Sequence, residues 1–126
     1  MKKDQNQNLE IYKFQKLDVY QLALSYSKSI HAVLIQLPDH ERFNLISQIQ
    51  RAATSIVLNI AEGSTGQSDP EQKRFLGMAI RSYLETIACL DLIEQFEYLP
   101  SRELETIRLQ GHQLFIKLSA FRRALR

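Results

Sequence analysis

Apolar residues along this chain recur at the spacing of α-helices, and no stretch alternates in the way that a half-buried β-strand requires. The pattern predicts four helices, over about residues 17–37, 40–63, 70–97 and 102–124. Pro38, the loop GSTGQSD and Pro100 separate them. Long helices joined by short loops predict an all-α fold, an antiparallel up-and-down four-helix bundle. We assign residues 17–126 to this domain and residues 1–16 to a polar N-terminal segment.

Residues with capping chemistry stand near the ends of the predicted helices. Asp39 is the N-cap expected for the second helix, and Gly63 suits a left-handed position just after its end. Ser68 or Asp69 is expected to cap the third helix, and Ser101 the fourth.

A row of polar residues runs beside the apolar face of the second helix. Its members, at helical steps, are Gln48, Arg51, Ser55, Asn59 and Glu62. The row is a candidate catalytic site, docking surface or part of the internal packing. Groups at the edge of a core lose water and need partners, and no nucleophile or tuned base is evident. An ion-pair network of Glu62 and Glu85 with Arg51 and Arg81 is the interpretation that we favour.

Further apolar residues lie off the main faces of all four helices. They are Leu17, Leu24, Ile35, Leu58, Met78, Leu92, Phe96, Leu109 and Ile116. Single surface leucines are common, but an excess on every helix favours burial against another subunit. We therefore expect a homo-oligomer.

Composition limits the possible chemistry. Apolar residues make up 44% and charged residues 24% of the chain, as in ordinary globular domains. The single cysteine, Cys89, fits a reducing compartment, and no apolar run is long enough to span a membrane. The start, MKKDQNQNLE, has no apolar stretch, so we expect no signal peptide. His31, His40 and His112 lie on three segments without partners at ligand spacing. We expect a cytoplasmic protein with no membrane contact, no metal, no cofactor and no enzymatic activity.

Charge is concentrated at the C-terminus, although the net charge is only +2. The last ten residues contain Lys117, Arg122, Arg123 and Arg126 and no acid. These cations, with Lys2 and Lys3, are candidates for contacts with nucleic-acid phosphates. Alternatively, they complement the dipole at the end of a helix.

Three stretches carry a resemblance to a known family: FQKLDVYQLALSYSKSI, LPDHERFNLISQIQRAATSIVLNIAEGS and FLGMAIRSYLETIACLDL. They resemble the 23S rRNA intervening-sequence protein (S23) family, whose genes can lie within insertions in ribosomal RNA genes. The resemblance implies a cytosolic all-α bundle that forms a homo-oligomer, a ring of five. The family also resembles the accessory protein of diversity-generating retroelements, a pentamer that binds nucleic acid and a reverse transcriptase.

The family motif corresponds here to Gln48, Arg51, Ser55, Asn59, Glu62, Gly63, Ser82 and Glu85. Arg81 stands where the family often has glycine, so the contact there is expected to differ.

From these observations we predict that the protein is a non-enzymatic oligomeric bundle that binds the backbone of RNA or DNA. The alternative is a protein-docking scaffold, such as an accessory subunit for the reverse transcriptase of a diversity-generating retroelement. A third possibility is an enzyme or ligand binder that uses Glu62 and Glu85 in a pocket.

Overall fold

Four α-helices make up the fold in a computed structural model, which describes residues 12–66 and 68–126. They are α1 (Asp18–Leu34), α2 (Ser47–Gly63), α3 (Asp69–Gln95) and α4 (Ser101–Ala124). A short 3-10 helix, Lys13–Lys16, precedes α1, and the described residues contain no β-strand. Consecutive helices pack against each other, and α4 returns to α1. The predicted all-α four-helix bundle is confirmed. No helix in the described ranges is long and apolar enough to cross a membrane.

The core lies between the four helices and encloses hydrogen bonds that Thr86 makes with two tyrosines. The Thr86 hydroxyl donates to the Tyr83 carbonyl at 2.6 Å and therefore accepts the Tyr26 hydroxyl at 2.8 Å. Every buried side-chain polar atom in the described residues has a hydrogen-bond partner. The apolar core can therefore enclose these groups without the cost of an unpaired donor.

The segment before α2 differs from its prediction. Asp39–Glu41 is a 3-10 helix and Arg42–Ile46 a π-helix, so the α-helix begins only at Ser47. The prediction of Asp39 as the N-cap is wrong, because the Glu41 carboxylate accepts the Leu45 N–H instead, at 3.4 Å. The predicted first helix likewise ends early, at Leu34.

Glycine and serine at the other helix ends give a mixed outcome. Gly63 is the last residue of α2, and the left-handed glycine is Gly66, with φ of 99°. A Cβ on Gly63 would lie 2.7 Å from the Cβ of Phe75, so close helix packing, not a left-handed turn, requires this glycine. The Ser68 cap is confirmed, since its hydroxyl accepts the Glu71 N–H. Ser101 is the first residue of α4 and makes no capping hydrogen bond.

Candidate functional site

The polar row borders an open groove between α2 and α3, with a volume of about 720 Å³. We call it the polar groove. Its lining residues are Ser47, Gln50, Arg51, Ala52, Thr54, Ser55, Leu58, Asn59, Glu62, Ser82 and Glu85. The structure therefore brings together six residues of the family motif: Arg51, Ser55, Asn59, Glu62, Ser82 and Glu85. Gln48, which is exposed, and Gly63, which is buried, are not in the groove lining.

The centre of the polar groove is hydrogen-bonded across the two helices. The Ser82 hydroxyl donates to the Ser55 hydroxyl at 2.9 Å. The Asn59 amide donates both to that hydroxyl, at 3.0 Å, and to the Ser55 carbonyl, at 2.9 Å. The Ser82–Ser55 hydrogen bond thus links α3 to α2, and Asn59 supports it from within α2, so this part of the row is internal packing.

The predicted ion-pair network is wrong within the subunit. In residues 12–66 and 68–126, no salt bridge joins Arg51 or Arg81 to Glu62 or Glu85. Both arginines and both carboxylates are exposed. Exposed ion pairs gain little over hydration, which explains why the spacing alone does not produce them.

The ionisable residues that line the polar groove are Arg51, Glu62 and Glu85. No histidine or cysteine is among its lining residues. Cys89 is buried, and burial together with the charge of Glu85 raises the pKa of its thiol, so the reactive thiolate is disfavoured. In the described ranges, no group of three or more His, Cys, Asp or Glu is placed to hold a metal ion.

The basic C-terminal residues occupy different sides of one end of the bundle. Lys117 lines an apolar groove together with Lys16 and Phe121. The Arg122 guanidinium Nε donates to the Lys73 carbonyl at 3.1 Å. Arg123 and Arg126 are exposed.

The same end carries further bases from other helices. We define the basic end as the region where α1 and α3 begin and α2 and α4 end. Its bases are Lys13, Lys16, Lys73, Arg74, Lys117, Arg122, Arg123 and Arg126. Its acids are Asp18, Glu62, Asp69 and Glu71. Lys2 and Lys3 lie outside the described residues.

The opposite end has the reverse balance, and we call it the acidic end. Its acids are Asp39, Glu41, Asp91, Glu94, Glu97, Glu103 and Glu105. Its bases are Arg42, Arg102 and Arg108, and Arg108 forms salt bridges with Asp91 and Glu94 at 3.0 and 3.1 Å. A net charge near +2 therefore conceals a strong separation of charge along the bundle axis.

Sequence reasoning missed the bases that the 3-10 helix before α1 and the start of α3 bring to the basic end. Lys16, Lys73 and Arg74 are far from the C-terminus in sequence, so a search for basic runs does not group them. The predicted topology could have grouped these bases, because an antiparallel bundle places the starts of α1 and α3 beside the end of α4.

Most of the additional apolar residues are exposed, as predicted. The exposed members are Leu24, Ile35, Leu58, Leu92, Phe96, Leu109 and Ile116. Leu17 and Met78 are instead partly buried. The sequence pattern missed Leu84 and Phe43, and the Phe43 side chain on the π-helix is 91% exposed.

Comparisons with known proteins agree with this architecture. A solved structure of a protein with unknown function, from the S23 ribosomal protein family of Bacteroides thetaiotaomicron, is similar with a TM-score of 0.77 and 25% identity. The similarity covers 84% of this chain and 96% of that one. A search of curated proteins found no significant match. The sequence profile of the 23S rRNA-intervening sequence protein family matches residues 15–120, and the chain belongs to this family.

Proposed function

We propose that this protein is a non-enzymatic, self-associating bundle whose basic end binds the phosphate backbone of RNA or DNA. The separation of charge between the two ends is the observation that carries the proposal. Bases from the 3-10 helix before α1, from α3 and from the C-terminal part of the chain converge at one end, while acids dominate the other. A polyanion is attracted to the first end and repelled from the second, which orients it on the bundle.

Exposed lysines and arginines suit backbone contacts better than base readout. Such contacts give affinity that falls with salt and carry little sequence information. Several weak contacts per subunit are multiplied when subunits assemble and present their basic ends to one polymer.

The test is fluorescence anisotropy with a structured RNA and a duplex DNA, between about 50 and about 200 mM salt. Replacing Lys117, Arg123 and Arg126 by Gln is expected to weaken binding about tenfold and to reduce the salt slope by about two to three. Arg122 is left intact, because its hydrogen bond to Lys73 also supports the fold.

The matched control replaces Lys28, Arg42 and Arg102 by Gln, which removes the same charge from exposed sites outside the basic end. Its affinity should stay within about twofold of the wild-type protein, because these sites do not contact the phosphates. Equal losses in both triple variants, or no binding by the wild-type protein at low salt, would overturn the proposal.

The surface that we assign to self-association is the outer face of α2 with the polar groove. Leu58 lines the polar groove and is 56% exposed. Around it are small side chains that allow a neighbouring helix to approach, among them Ser47, Thr54 and Ser55. Burial of such an apolar side chain between subunits is favourable, and a ring of five is the assembly that we propose.

A protein-docking scaffold is the second candidate, favoured by apolar side chains at the acidic end. Phe43 and Ile35 are 91% and 75% exposed, and neither lies near the basic end. Gene neighbourhood discriminates the two functions, since an adjacent reverse-transcriptase gene would favour docking. Binding of that purified polymerase, at salt that abolishes nucleic-acid binding, would then support this candidate.

A further inference from the structure

Three arginines from two helices line one groove of about 390 Å³ on the α3–α4 side of the bundle. They are Arg74, Arg81 and Arg122, and Gly77, Met78 and Ile80 form the rest of the lining. No acidic side chain is among the lining residues in the described ranges. We propose that this arginine groove is a built site for a single phosphate group, with Arg122 as its fixed donor. The proposal rests on the proposed function, which it deepens by locating a specific contact.

Arg122 is held in place by the backbone of α3. The Arg122 Nε donates a hydrogen bond to the Lys73 carbonyl oxygen at 3.1 Å. Among the described residues, the Arg122 side chain makes no other hydrogen bond. The terminal guanidinium nitrogens therefore keep their donors for a ligand. A guanidinium can give two parallel hydrogen bonds to a phosphate, and fixing it in advance lowers the entropy lost on binding.

Gly77 makes room for this guanidinium. A Cβ at Gly77 would lie 3.2 Å from the Arg122 Nε and 3.5 Å from its Nη2. Gly77 is in the interior of α3, where glycine is unfavourable relative to alanine. Its φ is not in the left-handed region, so helix geometry gives no reason for glycine here. Space for the Arg122 side chain is the reason that the structure offers.

The two other arginines supply charge at the rim of the arginine groove. Arg81 is exposed and forms no salt bridge in the described ranges. Arg74 pairs with Glu71 at 3.0 Å and lies 4.7 Å from the centre of the Phe75 ring. Arg74 is thus partly neutralised, so Arg81 and Arg122 are the principal donors.

The decisive variant is Gly77→Ala, which changes no charge but adds a Cβ that would lie 3.2 Å from the Arg122 Nε, so that the guanidinium must shift. We expect RNA affinity at constant salt to fall about five- to tenfold, since a charge-assisted hydrogen bond is lost or distorted. The melting temperature should change little, because the better helix propensity of alanine offsets the weakened hydrogen bond from Arg122 to Lys73. Arg81→Gln should also weaken binding and reduce the salt slope by about one, whereas the control Lys28→Gln should not.

A second titration separates the arginine groove from the polymer. Inorganic pyrophosphate is titrated at low salt into the wild-type protein and Gly77→Ala, with arginine side-chain NMR shifts as the readout. If RNA binds both proteins equally, the proposed phosphate site in the arginine groove is wrong, while the proposed binding at the basic end is unaffected. If RNA does not bind but pyrophosphate does, and Gly77→Ala weakens it, the groove is right and the proposed function is wrong. Failure of both ligands to bind overturns both.

Discussion

At Gly111, the absence of a side chain lets two tyrosine rings approach the backbone of α4. A Cβ there would lie 2.8 Å from Cε1 of Tyr26 and 2.8 Å from Cε1 of Tyr83. Both rings are buried, and the hydrogen bond from Tyr26 to Thr86 restrains the first of them. The rings therefore have little freedom to move away from an added methyl group.

We expect Gly111→Ala to lower the free energy of unfolding by about 1–2 kcal/mol. Overpacking costs about 1–3 kcal/mol, and the better helix propensity of alanine returns part of this. Urea unfolding followed by circular dichroism measures the change. Gly77→Ala is the control, because the added Cβ there would lie 3.2 Å from the exposed Arg122 side chain and not against buried rings. Equal stability of Gly111→Ala and the wild-type protein would contradict the close contact.

Predictions for single residues were correct where they depended only on residues nearby in the sequence. Helical spacing predicted Ser55 and Asn59 beside the core, and capping chemistry predicted Ser68 or Asp69 at the start of α3, where Ser68 is the cap. The prediction for Gly63 was wrong, because a glycine before a loop is typical of a helix end, whereas the constraint is the approach of Phe75 from another helix. Contacts between helices leave no mark in a local pattern.

Among the structural elements, the π-helix before α2 depends on a distant contact. Glu41 is only 7% exposed, and its carboxylate accepts the Tyr98 hydroxyl at 2.6 Å. It also accepts the Leu45 N–H inside the π-helix, while the His40 Nε2 lies 3.1 Å from the Tyr98 hydroxyl. Tyr98 follows α3, so no periodicity near Glu41 could reveal this link. Asp39 therefore looked like the cap, and the sequence predicted a regular helix.

The pH dependence of stability provides a test of this link. The Tyr98 hydrogen bond, with those from Leu45 and Asn44, holds the pKa of Glu41 below its ordinary value of 4.5. A lowered folded-state pKa means that the carboxylate stabilises the fold above its unfolded pKa. This stabilisation is lost as pH falls through the folded-state pKa.

We therefore expect Glu41→Gln to be less stable than the wild-type protein at neutral pH, with a difference that shrinks as pH falls below about 4.5. Thermal unfolding between about pH 7 and about pH 3 measures both curves. Glu103→Gln, which removes an exposed acid from the same end, is the control and should change little. A constant gap between the Glu41→Gln and wild-type curves would contradict the role of the ionised carboxylate.

For the whole molecule, the order and direction of the helices were easier to predict than the contacts made by surface residues. Four apolar stripes separated by short breaks permit few arrangements, so the bundle followed from the pattern. In an antiparallel bundle, the starts of α1 and α3 and the ends of α2 and α4 lie at the same end. The separation of charge therefore follows from the positions of the charged residues in the sequence. The polar groove was harder, because the sequence does not show which residues bond across helices and which remain for a second subunit.

A substitution at Leu58 tests whether nucleic-acid binding depends on self-association. If the face around Leu58 joins subunits, Leu58→Asp should reduce the mass in light scattering from about five times 14.7 kDa to that of one chain. A buried charge without a partner is costly, whereas on a free surface it is harmless. RNA affinity should then fall about tenfold or more with the basic end intact, because separate subunits lose the gain from multiple contacts.

Ile35→Asp is the matched control, since Ile35 is an exposed apolar residue at the acidic end. Side-by-side packing of subunits in a ring leaves the ends of the bundles uncovered, so this variant should keep both the wild-type mass and the wild-type affinity. A monomeric wild-type protein at micromolar concentration would contradict assembly itself. An unchanged mass in Leu58→Asp would instead move the interface to another face. Loss of mass without loss of affinity would show that one basic end is sufficient for nucleic-acid binding.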